Sequence, residues 1–347
     1  MELRRARLAL AGTILKDWDF KLEADFAGTT QDTGTTNEVT LTDAFVRYTG
    51  FKPFPDLGPL AITAGNFKMP FSLEAVGSAK YLTFLERGLP FAFLTLRALG
   101  GMISTGGDNW TVSAGIFGDT VTTQNSDDEG MGAAARLTYA PFFQTDRVLH
   151  FGISGGWREP PDSKTVRFRS KPESNIITDP MTTGRLVDTR DIPGGVNYYT
   201  LLGGELAVVY GPLSFQSEYI RTEVDRDLDG DLDFDGYYAY ASWFLTGESR
   251  NYKPDKGVFD LIVPKRPFSL KSGGLGAWEI GVRFSEIDLS DDAINGGEEQ
   301  NLTVGLNWYP NAFLRLMANY VDVLELDGGL HNGEAIDLFQ LRAQLVY

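Results

Sequence analysis

Every second residue of the final segment of the chain, 339–347, is apolar. The apolar positions are Phe339, Leu341, Ala343, Leu345 and Tyr347, and polar Gln340, Arg342 and Gln344 lie between them. A period of two residues predicts a β-strand with one apolar face and one wet face. Such a strand is rare at the end of a soluble protein, because a long half-apolar edge invites aggregation. It is typical of the closing strand of a membrane β-barrel, which faces lipid on one side.

The same alternation recurs along the chain, and no helical stripe of comparable length competes with it. Clear examples are 20–26, 43–48, 278–285, 302–308 and 314–320. We count about 15 such strands. The predicted long loops are 28–38, 69–98, 119–130, 160–199, 225–236, 290–298 and 326–334. Short turns on one rim and long loops on the other predict an all-β fold, a transmembrane antiparallel β-barrel formed by one domain over 1–347. Only 248–273 breaks the rule, because it is long but falls on the short-turn side.

Composition excludes several other classes of protein. The chain carries 47 acidic and 31 basic residues, for a net charge of −16, which argues against nucleic acid as a partner. It contains no cysteine, so neither disulfides nor thiolate metal sites can form. No run of about 18 apolar residues is present to form a transmembrane helix.

Several ordered motifs resemble one known family, the phosphate-selective porins O and P. They are Arg4-Arg5-Ala6-Arg7-Leu8, Lys16-Asp17-Trp18, Arg47-Tyr48-Thr49-Gly50-Phe51, Pro70-Phe71-Ser72-Leu73-Glu74, Phe84-Leu85-Glu86-Arg87, Gly236-Tyr237-Tyr238-Ala239, Leu245-Thr246-Gly247-Glu248, Gly276-Ala277-Trp278-Glu279 and Gly305-Leu306-Asn307-Trp308-Tyr309. Each motif alone is weak, but the ordered set spans the chain. The resemblance implies a 16-stranded barrel in the bacterial outer membrane. It also implies a homotrimer and an anion pathway lined by arginine and lysine.

The resemblance also bears on the amino terminus. In family members a first strand precedes the Arg-Arg-Ala motif, which here begins at Arg4, and no secretory signal is visible. We therefore expect an N-terminally truncated barrel in which segment 335–347 has no first strand to pair with.

The family's constriction suggests candidate residues for an anion pathway. Arg4, Arg5 and Arg7 match its arginines, and the loop 69–98 is expected to fold into the barrel. The family's central lysine follows the Leu-Glu of this loop, but Ala75 stands there in this chain. Lys68 lies nearby and is the candidate substitute. We therefore expect a weaker and less phosphate-specific pore.

A second set of cations resembles the family's arginine ladder, a loop folded into the mouth of the pore. Arg167, Arg169 and Lys171 lie two residues apart in the loop 160–199, so an extended backbone places them on one side. Guanidinium groups suit oxyanions because they stay charged and offer several donors. The alternative is a solvated basic loop. Of the family's periplasmic lysines, Lys253 is retained.

Other chemistries find little support in the sequence. The Asp-rich stretch 225–235 resembles the start of a calcium loop, but its twelfth position is Gly236 instead of a bidentate acid. We interpret it as an acidic hairpin tip, with calcium binding left open. His150 is expected to point into the lumen and His331 to lie in an external loop. Neither has a nucleophile nearby in a known motif, so the chain is predicted not to be an enzyme.

The resemblance implies a porin that passes small inorganic anions, phosphate or polyphosphate, by passive diffusion. Its partners would be these anions and the lipid bilayer, with no cofactor and no metal. Two alternatives stay open. One is a general diffusion porin with weak or no anion selectivity, and the other is a structural or adhesive barrel.

Overall fold

The strands of the protein form one large antiparallel sheet. The computed structural model describes residues 2–27, 39–53, 58–121, 130–161, 163–176 and 184–346. The strands are β1 (Arg7–Ile14), β2 (Trp18–Asp25), β3 (Thr40–Tyr48), β4 (Ala61–Lys68), β5 (Arg97–Gly106), β6 (Trp110–Phe117), β7 (Met131–Gln144), β8 (Arg147–Glu159), β9 (Arg169–Ser170), β10 (Val187–Asp188), β11 (Val196–Tyr210), β12 (Leu213–Arg226), β13 (Leu232–Phe244), β14 (Asn251–Lys253), β15 (Val258–Asp260), β16 (Ala277–Asp291), β17 (Ile294–Tyr309), β18 (Leu314–Asp327) and β19 (Ile336–Leu345).

The large sheet contains 15 strands, so the predicted all-β fold and strand number are confirmed. Its order runs from β1 to β19 along the chain, and of the strands that the structure describes it leaves out only those of two small hairpins, β9–β10 and β14–β15. Among the described residues β1 pairs only with β2 and β19 only with β18, so the sheet is open between them. In the described ranges, helical structure is limited to a single turn, α1 (Leu73–Val76), and a 3-10 turn at Leu89–Phe93. No helix in the described ranges is long and apolar enough to cross a membrane.

Two predicted loops are wrong because the strands continue through them. β16 and β17 are joined by a turn at 292–293, where a loop over 290–298 was expected. β12 and β13 likewise shorten the loop 225–236 to 227–231. The acidic residues on one face of these strand ends resemble a loop in sequence. Alternate residues such as Ile287, Leu289 and Ile294 are nevertheless buried on the other face.

The remaining loop predictions agree with the structure to within a few residues where they can be compared. β5 begins at Arg97 and β11 at Val196, so the two long loops cover 69–96 and 160–195. The predicted loop 28–38, most of 119–130 and the terminal Tyr347 lie outside the described residues.

Side chains alternate between the two faces of the sheet as the terminal segment predicted. In β19, Phe339 is 65% exposed and Leu341 72%, whereas Gln340 between them is 4% exposed. The exposed apolar positions form the outward face, which suits lipid. Trp278 and Trp308 stack on this face near the short-turn rim, with ring centroids 5.4 Å apart.

Three segments cover the opposite, inner face of the sheet: 69–96, the described parts of 160–195 (163–176 and 184–195), and 245–262. Phe84 in the first segment contacts Tyr240 of β13 at 5.3 Å between ring centroids. Phe168 in the second contacts Phe234 at 6.1 Å. Phe259 in the third packs in one cluster with Leu73. The third segment contains the first part of the exceptional loop 248–273, and this part folds back across the inner wall.

The alternation predicts that a charge placed on the outward face lowers the free energy of unfolding more, the closer it lies to the middle of the bilayer. Val304→Arg, in the apolar band of β17, is expected to lower the free energy of unfolding by about 2–4 kcal/mol, because the guanidinium would face hydrocarbon. Gln300→Arg lies on the same face beyond the band and should cost about 0–1 kcal/mol. Urea titration in phosphatidylcholine vesicles, followed by tryptophan fluorescence, measures both losses. If both variants lost the same free energy of unfolding, Val304 would not lie within the apolar band with Gln300 beyond it.

Candidate functional site

Cationic side chains gather where the two edge strands of the sheet meet the loop 69–96. They outnumber the carboxylates that pair with them. We call this group the basic cluster; its cations are Arg4, Arg5, Arg7, Lys21, Lys68, Arg87, Arg97 and Arg342, and its carboxylates are Glu2, Glu23, Asp25, Asp43, Glu74 and Glu86. The cluster is therefore locally positive in a chain whose net charge is −16.

Glu86 is the carboxylate shared by both edges of the sheet. Its oxygens lie 2.9 Å from Nε of Arg4 and 3.7 Å from Nη2 of Arg5, both of which precede β1. Nη2 of Arg342, from β19, lies 2.5 Å away. One carboxylate cannot neutralise three guanidinium groups, so net positive charge remains around it.

The arginines also set the charge state of Glu86. Burial alone would raise the pKa of its carboxyl group, but the charge of Arg4, followed by those of Arg342 and Arg5, lowers the pKa to about 2. A lowered pKa means that these ion pairs stabilise the fold above the ordinary value of 4.5. That contribution declines as the pH falls below 4.5 and is gone once the pH has fallen through about 2.

The first strands hold the next cations of the cluster by ion pairs across the sheet. Arg7 binds Asp25 at 2.8 Å, and Lys21 binds Asp43 at 2.5 Å. The second oxygen of Asp43 binds Nε of Arg97 at 2.6 Å. Charge-assisted pairs of this length hold the donors in fixed positions.

Lys68 belongs to the cluster, but its ammonium group is engaged by the backbone. Its Nζ donates to the carbonyl oxygens of Val76 at 3.1 Å and Gly77 at 2.5 Å. These carbonyls end α1, where a cation is favourable. Ala75, at the position of the family's central lysine, is 3% exposed in the same turn.

The predicted ladder, Arg167, Arg169 and Lys171, shows the expected alternation within its loop, and the loop is not one that carries the basic cluster. Val166, Phe168 and Ser170 are buried, and the cations between them are exposed or half-buried. Arg167 donates to Asp188 at 2.7 Å from Nε. The ladder therefore also carries its own carboxylate.

Arg167 and Arg158 line a cavity of about 300 Å³ between the two long loops. Its other walls include Phe93, Thr95 and Tyr199. Water occupies about 30 Å³ per molecule, so this space can hold a hydrated oxyanion. Arg158 pairs with Asp119, so the cavity wall carries a carboxylate beside its guanidinium groups.

Lys253 lies apart from the other cations, in β14 of the hairpin that covers the inner face. Its Nζ is 3.6 Å from Asp260 of β15. The structure therefore brings together Arg4, Arg5, Arg7 and Lys68, and leaves the ladder and Lys253 as separate groups.

Sequence reasoning missed four cations of the cluster: Lys21, Arg87, Arg97 and Arg342. Lys21 and Arg342 occupy polar positions of alternating strands, so the inward face was a usable signal. Arg87 stands in a quoted motif, where it donates to the carbonyl of Glu74 and lies 4.6 Å from the ring of Phe91. Nothing in the sequence pairs Arg342 with a residue so distant as Glu86.

The two histidines differ in their surroundings. His150 faces the inner wall as predicted and is fully buried between Glu205, 3.1 Å away, and the hydroxyl of Tyr252, 2.6 Å away. His331 contacts Glu334 in the loop before β19.

Three aspartates of 225–235 pair with cations, namely Asp227, Asp229 and Asp233, and Asp225 accepts a hydrogen bond from Asn197. Asp227 contacts Lys164, and Asp229 lies 3.8 Å from Arg226. In the part of the chain that the structure describes, no group of three or more acidic or histidine side chains is placed to hold a metal ion.

Comparison with known proteins gives a consistent result. Residues 1–347 match a family model described as "Phosphate-selective porin O and P". Porin O of Pseudomonas aeruginosa is 27% identical over 380 residues, which span 99% of this chain and 81% of that protein. An uncharacterized protein of Caulobacter vibrioides is 29% identical over 348 residues, 96% of this chain and 65% of its own length.

Solved porin structures share the fold. A loop L8 deletion mutant of OmpT from Vibrio cholerae aligns with a TM-score of 0.57 at 13% identity, covering 98% of this chain and 89% of that one. An anion-selective porin from Comamonas acidovorans aligns with a TM-score of 0.56 at 13% identity, covering 100% and 91%. Both are outer-membrane β-barrels, and at this identity the likeness concerns the fold alone.

Removing the shared carboxylate tests the electrostatics of the basic cluster. Glu86→Gln is expected to raise the chloride-to-potassium permeability ratio severalfold, because one negative charge amid three guanidinium groups is lost. Glu86→Asp keeps the charge and is the matched control. Reversal potentials across a planar bilayer in a potassium chloride gradient give the ratio. An unchanged ratio in Glu86→Gln, with both variants conducting normally, would contradict a role for this cluster in ion passage.

Proposed function

This chain belongs to the phosphate-selective porin O and P family, and on that premise we propose that it conducts small inorganic anions by passive diffusion. It is an outer-membrane channel and not an enzyme. Phosphate and polyphosphate are the proposed solutes, and a homotrimer in the lipid bilayer is the proposed assembly. The cations proposed to contact them are Arg4, Arg5, Arg7, Arg167, Arg169 and Lys171, with Lys68 and Lys253 as supporting charges.

The observation that carries the proposal is the excess of cations in the basic cluster. A locally positive wall with low-dielectric surroundings concentrates anions and speeds their entry. The ion pairs of Arg7 and Arg97 hold the donors in fixed positions, so little reorganisation accompanies passage. Conduction also requires release, and the neighbouring carboxylates keep the attraction moderate.

Two observations support moderate affinity for phosphate. Ala75 offers no charge where the family has a lysine, and its side chain is buried. Lys68, the candidate substitute, donates to two backbone carbonyls of the loop. An ammonium group with two of its three donors engaged has little left for a tetrahedral anion. The same observations favour, as the second candidate, a diffusion porin with weak anion selectivity.

The contribution of the ladder can be measured by charge removal. Replacing Arg167 and Arg169 together by alanine is expected to lower the chloride-to-potassium permeability ratio severalfold, because two cations leave the loop beside the 300 Å³ cavity. Arg221→Ala is the control, since Arg221 pairs with Asp233 on the outward face of β12. Reversal potentials in a salt gradient give the ratios. Equal ratios in all three proteins would refute a pathway along this loop.

Phosphate titration tests the affinity. We expect phosphate to reduce single-channel chloride current only at millimolar concentrations, because the position of the family's central lysine is filled by buried Ala75. Sulfate serves as the matched anion, and similar block by both would agree with low specificity. Half-block by micromolar phosphate would contradict the proposal.

A further inference from the structure

The rim that carries the short turns has one segment of unusual composition, 263–275. It contains Lys265, Arg266 and Lys271 and no acidic residue, although the chain as a whole is strongly acidic. Large apolar side chains stand between and after these cations, and they are exposed. Leu270 is 90% exposed, and Leu275 is 65% exposed.

The segment is held in a defined conformation by backbone hydrogen bonds. Ser269 and Gly274 form a β-bridge, with the Ser269 amide donating to the Gly274 carbonyl at 3.0 Å. The Phe268 amide donates to Pro310 in the neighbouring turn at 2.7 Å. Gly273 has a φ of +67°, which lets the chain turn tightly after Leu270 and Lys271. The tip is thus a closed hairpin fastened to the adjacent turn.

The hairpin lies on the lipid side of the rim, beside the outward tryptophans. Phe268 meets Trp308 edge to face, with ring centroids 5.3 Å apart. The indole Nε1 atoms of Trp278 and Trp308 both donate to the carbonyl of Leu275, at 3.2 Å and 2.9 Å. Tryptophans at a membrane–water boundary sit at the level of the lipid headgroups. The exposed apolar residues of the hairpin therefore continue this aromatic belt.

We propose that residues 263–275 form a lipid-binding hairpin that anchors the barrel in the periplasmic leaflet of the outer membrane. Leu270 and Leu275 enter the boundary between headgroups and acyl chains. Lys271, together with Lys265 and Arg266 of the same segment, contacts the phosphate groups of the phospholipids. Apolar side chains interleaved with cations are the composition that such interfacial segments use.

Charge and position together select lipid over the other occupants of an exposed apolar patch. A second copy of this chain could also attract the three cations, because it carries an excess of carboxylates. It would, however, have to cover the outward tryptophans Trp278 and Trp308, which are expected to face lipid. Phospholipid phosphates complement the three cations, and the acyl layer already borders the tryptophans. The proposal rests on the outer-membrane fold and not on the conducted solute.

The absence of cysteine from the chain allows a direct test by single-site labelling. Leu270→Cys, labelled with an environment-sensitive fluorophore, would be reconstituted in vesicles of phosphatidylethanolamine and phosphatidylglycerol. Asp146→Cys, in the exposed turn 145–146 on the same rim, is the control. Lipids brominated near the headgroup end of the acyl chains should quench the label at 270 severalfold more than the label at 146. Equal quenching at both sites would overturn the proposal.

A second measurement separates lipid from a neighbouring subunit. If another copy covered the hairpin, the label at 270 would be shielded from an aqueous quencher in detergent and would escape the brominated lipids, and the proposal would fail.

Replacing Lys265, Arg266 and Lys271 together by glutamine should abolish any extra quenching by brominated phosphatidylglycerol over brominated phosphatidylcholine. A preference that survives this change would overturn the role assigned to the cations. Because the changes lie at an exposed tip, gel mobility of the unheated protein checks that each variant is folded.

Discussion

Hydrocarbon offers no hydrogen-bond partner to a peptide group, and this constraint organises the whole molecule. A sheet satisfies its backbone through neighbouring strands, which is why long antiparallel pairs account for most of the chain. Side chains then divide by face, with apolar residues outward and polar residues inward. The inner face would be a wet polar surface, and the three segments that fold across it convert much of it into a packed interior.

That interior has to accommodate charge as well as apolar side chains. Arg136 binds Glu205 at 2.7 Å with both side chains almost completely buried, and Arg283 is similarly paired with Glu173. Buried pairs of this kind are costly to break because each would leave a charge without a partner. In the basic cluster the balance differs, since cations exceed carboxylates and the side chains stay partly accessible. The wall thus combines sealed ion pairs with one region of uncompensated positive charge.

The sequence predicted local structure well and long-range pairing poorly. Alternation alone identified the terminal strand, because the apolar Phe339 faces outward and the polar Gln340 faces inward. It failed at Ile294, where acidic neighbours on the outward face concealed a strand that continues beyond the membrane. The ladder residues were placed on one side of their segment, since that depends only on spacing. The contact between Arg342 and Glu86 could not be read from spacing, because it depends on how a loop crosses the completed sheet.

The two long loops share one apolar cluster, and this restricts how they can move. Phe71, Leu89 and Phe93 from one loop pack with Val166 and Phe168 from the other. The parts of the loops that carry these residues cannot separate without exposing this shared surface to water. If the proposed anion pathway runs beside them, the packed cluster keeps its width nearly constant. Side-chain rotations, on the scale of picoseconds to nanoseconds, are then the motion that varies this width.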